Sequence, residues 1–94
     1  MRFEWDEAKS IANRRKHRLS FELAARVFLD PNRLEVFDDR EDYGEDRWIT
    51  IGLVDPVLLV VVYTIRGAKG EVVRLISARR ANGQEKKAYR QART

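Results

Sequence analysis

The run Val57-Leu58-Leu59-Val60-Val61-Val62-Tyr63-Thr64-Ile65, then Arg66, the turn Gly67-Ala68-Lys69-Gly70 and the segment Val72 to Ala78 decide the fold class of this 94-residue chain. The first segment is almost entirely apolar and β-branched, the composition of a central strand covered on both faces. The glycine-bounded turn folds it back into a second strand, Val72 to Ala78. Simple hairpin counting pairs Ile65 with Val72, hence Tyr63 with Arg74, and brings Arg79 near Leu58. Upstream, Arg47 to Leu53 alternates Trp48, Thr50 and Gly52 against Ile49, Ile51 and Leu53, the two-residue period of a strand, and Val54-Asp55-Pro56 is its turn. Arg33 to Phe37 reads as one more strand, separated from it by the acidic loop Asp38 to Asp46.

Further upstream the period becomes helical. Phe21, Ala24, Ala25, Phe28 and Leu29 follow the N-cap Ser20 at helical spacing. Asp30-Pro31-Asn32 stops that helix, because a residue before proline avoids helical backbone. A first helix runs from Glu7 to about Lys16 behind the N-cap Asp6, with Ala8, Ile11 and Ala12 on one side and Lys9, Asn13 and Lys16 as a basic flank. Phe3 to Trp5 is a short strand or strap. At the other end Asn82 and Glu85 resemble a capping box for a helix from about Gly83 to Arg93, with Ala88, Tyr89 and Ala92 inward. No repeat, linker or low-complexity segment interrupts the chain. The expectation is one α+β domain over residues 1–94, an antiparallel four-stranded sheet with two N-terminal helices and one C-terminal helix.

Composition narrows the chemistry. Nineteen Lys and Arg against fifteen Asp and Glu leave a net charge of +4, a mild hint of a polyanionic partner. The distribution says more: residues 56–94 hold nine bases and two acids, residues 38–55 two bases and seven acids. The absence of cysteine excludes a disulfide framework, a thiolate nucleophile and Cys-ligated metal sites. A single histidine, His17, cannot build a multi-histidine site, and no carboxylate spacing fits a calcium loop, so no metal and no cofactor is expected. The charged start Met1 to Asp6 and the lack of an apolar run of about 18 residues point to neither a signal peptide nor a membrane span, and so to a cytoplasmic protein.

Four groups can carry chemistry. Arg79 and Arg80 sit where the last strand meets a helix N-terminus, and planar guanidiniums suit bidentate phosphate contact and the stabilisation of charge building on phosphorus. The same pair also reads as a solvated strand exit paired with Glu85 or the acidic loop. Lys9, Asn13 and Lys16 with His17 combine a basic helix flank with the side chain that titrates nearest neutrality; a helix C-terminus is equally an ordinary structural place for a histidine. Arg66 and Arg74 lie at a strand end and in a strand interior, and an interior Arg among apolar neighbours implies that one sheet face opens to a ligand. Glu85 and Tyr89 share a helix face, as positioner or base and as stacking group, or else as a cap and a core residue. The acidic loop itself is read as a solvated segment that does not bind RNA, or else as one that holds the basic surface at rest or meets a basic partner.

Taken in order, Phe3-Glu4-Trp5-Asp6 with Lys9, Asn13, Lys16-His17 and Ser20-Phe21-Glu22, then Arg47 with Ile51-Gly52, then Thr64-Ile65-Arg66, then Arg74 to Ala81 with Glu85 and Tyr89, resemble the BrnT-type toxins over nearly the whole chain. The resemblance implies a RelE-like fold, RNA cleavage that stops translation in a bacterial cytoplasm, and a BrnA-like antitoxin through which alone the chain would meet DNA. Carried onto this chain, the family's positions are Lys9, Lys16, His17, Arg66, Arg74, Arg79, Arg80, Glu85 and Tyr89. They support an endoribonuclease that needs no metal, with Arg79, Arg80, His17 and Glu85 catalytic and the rest binding RNA. The alternative is a basic sheet face that holds RNA or a protein without cutting. Local departures are Ala68-Lys69-Gly70-Glu71 and Asn82-Gly83, the glycine weakening the last helix.

Overall fold

The computed structural model describes residues 1–92. In chain order its elements are β1 (Arg2–Trp5), α1 (Glu7–His17), α2 (Phe21–Ala25) running into a 3₁₀ turn (Arg26–Leu29), β2 (Leu34–Asp38), β3 (Arg47–Val54), β4 (Val57–Arg66), β5 (Val72–Arg80) and α3 (Gly83–Ala92). The expected end of the last helix at Arg93 lies outside the described residues. The strands form one sheet of five in the order β1-β5-β4-β3-β2. Four of them run antiparallel as expected. The count of four is corrected by β1, which pairs in parallel with β5 from Arg2 opposite Val72 to Trp5 opposite Leu75. Without β1 the outer edge of β5 would leave its amides and carbonyls unpaired.

Hairpin counting is also off by one or two residues. Arg66 faces Val72 and Thr64 faces Arg74; an irregularity between Val62 and Tyr63 then shifts the register again, so that Arg79 faces Val60 and Arg80 faces Leu59. A bulge inserts an unpaired residue and leaves no compositional mark in such a uniform apolar run.

On one face of the sheet Leu59, Val61, Tyr63, Val73, Leu75 and Ala78 pack against Leu19, Phe21, Ala24 and Val27 of the N-terminal helical layer. The expected helix from Phe21 to Leu29 changes pitch at Arg26. At three residues per turn the buried stripe becomes Phe21, Ala24 and Val27, and Leu29 is left 80% exposed. Gly52 makes this approach possible, since a Cβ there would overlap the Val27 Cγ2 atom.

The first helix buries the side opposite to its apolar periodicity. Ala8, Ile11 and Ala12 are exposed, whereas Ser10 and Asn13 are buried. Asn13 explains this orientation. Its amide donates to the Leu19 carbonyl at 3.1 Å and its Oδ1 accepts from the Ala78 amide at 3.0 Å, which satisfies β5 beyond its last pair with β1. Leaving the buried Ala78 amide and Leu19 carbonyl unpaired would cost about 1–3 kcal/mol each, and that sets the orientation against the burial of Ala8, Ile11 and Ala12. In α3 the capping box forms, Glu85 N donating to Asn82 Oδ1 at 2.9 Å and Asn82 N to Glu85 Oε1 at 2.8 Å. Tyr89 is buried as expected, but Ala88 and Ala92 are exposed. No helix among the described residues is long and apolar enough to cross a membrane.

Candidate nucleic-acid interface

Residues directly opposite in a ladder share a sheet face, so the pairing places the charged side chains. Leu59, Val61 and Tyr63 turn to the helical layer; Val60, Val62, Thr64 and Arg66 therefore turn the other way, with Arg79 beside Val60, Ser77 beside Val62, Arg74 beside Thr64 and Val72 beside Arg66. Across β3 and β2 the same face carries Ile51, Ile49 and Arg47, then Leu34, Val36 and Asp38. Its middle row of Val36, Ile49, Val62 and Ser77 is half-buried or exposed.

This open face has two banks. On one side α3 presents Glu85, whose carboxylate accepts from both terminal nitrogens of Arg79 at 2.7 Å. Arg79 holds Glu85 below the usual carboxylate range, against the opposing effect of desolvation. Glu85 in turn raises the Arg79 pKa, while nearby Arg40 lowers it. On the other side the acidic loop folds onto the face: Thr64 donates to the Asp46 carbonyl at 2.6 Å, and Glu45 accepts from Arg47 at 3.2 Å and Arg66 at 3.3 Å. Arg47 also stacks over the Tyr43 ring, 4.1 Å from its centroid. Arg74 donates to Glu4 at 3.2 Å.

Three of the expected residues, Arg66, Arg74 and Arg79, thus share one face with Glu85 at its rim. Arg80 points to the helical side, where it donates to the His17 carbonyl oxygen at 3.1 Å, so the contact involves the His17 backbone and not its imidazole. Lys9 and Lys16 are exposed on α1. Tyr89 is 2% exposed and donates to Asp30 Oδ2 at 2.6 Å. Asp30 also accepts from Leu53 N and Asn32 N, each at 2.8 Å, which makes it a tie between α3, β3 and the preceding turn. Sequence reasoning missed Asp30, taking it only as a helix stop, named Arg47 only as part of the family resemblance, and missed Arg40. An Asp-Pro step already signals a side chain free to bond nearby amides.

What this arrangement can do is hold a polyanion. Its charges lie on an open strip, as suits a polymer backbone; a cleft of about 460 Å³ lined by Met1, Phe3, Ala25, Arg26, Phe28 and Leu29 lies apart from it and is mainly apolar. Among the described residues no group of three or more His, Cys, Asp or Glu is placed to hold a metal ion.

Such a basic sheet face under a C-terminal helix defines a nucleic-acid-directed α+β protein, and comparison with known proteins makes the class specific. Residues 5–85 match the family described as the ribonuclease toxin, BrnT, of type II toxin-antitoxin systems, and the chain belongs to that family. Its fold is similar to the crystal structure of the Brucella abortus ribonuclease toxin BrnT, with a TM-score of 0.66 and 27% identity over 87% of this chain and 97% of that one. No curated protein matches it by sequence. The chain is accordingly a toxin with endoribonuclease activity, RNA its substrate and an antitoxin its partner.

Proposed function

We propose that RNA is cut on the open sheet face, without a metal ion, by attack of a ribose 2'-hydroxyl on its own 3'-phosphodiester. The 2'-oxygen to phosphorus bond forms and the phosphorus to 5'-oxygen bond breaks. The products are a 2',3'-cyclic phosphate and a 5'-hydroxyl, the proton lost by one oxygen being matched by the proton gained by the other. Arg79 neutralises charge on the non-bridging oxygens as it builds, with Arg74 and Arg66 along the strand path. Glu85 positions Arg79 and, being ionised, is the carboxylate that takes the 2'-hydroxyl proton once a phosphate competes for the guanidinium. Arg80, His17, Lys9 and Lys16 belong to a second basic surface, and Tyr89 supports α3 through Asp30.

The single observation that carries this reading is the bidentate Arg79–Glu85 pair on a face shared with Arg74 and Arg66. The RelE-like comparison and a BrnA-like antitoxin that links the toxin to DNA in the cytoplasm extend it, as does arrest of translation. Purified protein incubated with RNA in EDTA tests the chemistry. Cleavage persists in chelator, falls about 10²- to 10³-fold in Arg79→Ala, and falls less than about 10-fold in Arg80→Ala. Intact RNA with retarded mobility would instead support a non-catalytic binder.

A further inference from the structure

The loop between β2 and β3 is acidic in composition, yet it holds a cation over the open face. Asp38 is on that face, its side chain wholly buried, and its two oxygens accept from Arg40 Nε at 2.7 Å and Nη2 at 2.8 Å. The Arg40 backbone amide adds a third bond to the same carboxylate at 3.2 Å. The Arg40 side chain is itself 62% exposed. A buried anion spent on an exposed cation does little for the core. Its effect, with Tyr43 alongside, is to hold the guanidinium in one orientation, two of its five N–H donors being committed to Asp38. Thr64 and Arg66 pin the far end of the loop, so Arg40 is carried on a fixed bank.

We propose that Arg40 and Arg79 form a clamp for the RNA backbone, Arg79 on the scissile phosphodiester and Arg40 on a neighbouring one. The clamp rests on the RNA-cleaving face proposed above. Each guanidinium is preset by its own carboxylate, Asp38 or Glu85; the Asp38–Arg40 pair stays intact as RNA arrives, while Glu85 yields part of Arg79 to the scissile phosphate. Asp38, which holds Arg40, and Arg79 lie on the same sheet face, so the two like charges repel and polyanion phosphates beside them offset that repulsion. The neighbouring row of Val36, Ile49 and Val62 offers an apolar floor on which a nucleobase can lie.

The test separates the clamp from the cleavage chemistry. Binding of an uncleavable 2'-deoxy oligonucleotide and cleavage of the matching RNA are measured for wild type, Arg40→Gln, Arg40→Lys and the exposed helical-layer control Arg26→Ala. In Arg40→Gln the dissociation constant and KM rise about 10-fold, kcat changes less than about 3-fold, and the logarithmic salt slope of binding falls by about 0.7, the share of one phosphate on a single strand. Arg40→Lys keeps the salt slope and recovers part of the affinity. Unchanged KM and salt slope in a folded Arg40→Gln overturn the clamp. If Arg40→Gln does not fold, the wild type decides: titrated with the oligonucleotide, the Arg40 and Arg79 Nε–H resonances shift together with one dissociation constant. A silent Arg40 resonance overturns the proposal. A wild type that binds but does not cleave would instead sink the proposed reaction and leave the clamp standing.

Discussion

The two faces of the central hairpin are made from alternate residues of the same strands and have opposite characters. Toward the helical layer β4 and β5 present Leu59, Val61, Tyr63, Val73 and Leu75, none more than 1% exposed. Toward the open face the same strands present Thr64, Arg66, Arg74 and Arg79. The aliphatic side stabilises the fold by burial. The charged side adds little stability, because each of its cations is paired with a carboxylate at the surface. A two-residue period thus lets one hairpin serve as core and as the proposed binding surface, with little energetic coupling between them.

Substitutions matched across the sheet probe that separation. Leu59→Ala on the core side costs about 2–5 kcal/mol of unfolding free energy by denaturant titration, whereas Arg74→Ala on the open face costs less than about 1 kcal/mol and weakens RNA binding. Equal stability losses would contradict the division. Asn13→Ala, which leaves the Ala78 amide and the Leu19 carbonyl without their side-chain partner, costs about 1–3 kcal/mol. Hydrogen exchange at Ala78 should rise with it, and an unchanged rate would show that α1 does not hold that edge.

Acid sharpens the comparison further, since two of the three lowered carboxylates, Asp38 and Glu85, belong to the open face, the third being Glu71 in the turn before β5. Folding brings the Asp38 pKa from 3.8 to about 2 through its hydrogen bonds with Arg40, and Arg79 lowers that of Glu85. A carboxyl lowered by folding stabilises the native state above its unfolded pKa and loses that contribution as pH falls toward its folded value. Melting temperature therefore declines between about pH 4 and pH 2, and the decline is shallower in Asp38→Asn; parallel curves would mean the Arg40 pair is uncoupled from folding. The smallest effect belongs to Tyr63, whose buried hydroxyl has no hydrogen-bond partner among the described residues. Tyr63→Phe changes stability by less than about 1 kcal/mol, and a larger loss would reveal a partner for that oxygen.

The legible parts of the fold were those with local signals. β-branched runs marked β3, β4 and β5, proline ended the second helix, and Asn82 with Glu85 marked the start of α3. What escaped depended on distant contacts. A four-residue strand gives no sign that its partner lies about seventy positions away, and a bulge in an all-apolar run changes only the register. In α1 the periodicity favoured Ala8, Ile11 and Ala12, because apolar patterns ignore an asparagine whose bonds are made elsewhere in the chain. Within the candidate site, Arg66, Arg74, Arg79 and Glu85 were singled out from residue type and spacing, and the strand pairing brings them to one face. Arg40 could not, since net charge averages over a loop and hides which single side chain a buried carboxylate holds outward.

The pairing of β1 with β5 also sets an order of events during synthesis. Residues 2–5 leave the ribosome well before residues 72–75 and have no strand to join until those follow. Contacts so remote in the chain form late, because closing a long loop comes before any gain from it. The arginines at positions 74 and 79 are made within a few residues of that closure. A copy that stops short of Arg79 therefore holds neither a complete sheet nor the proposed cutting surface, so competence waits on the closing of that last hairpin.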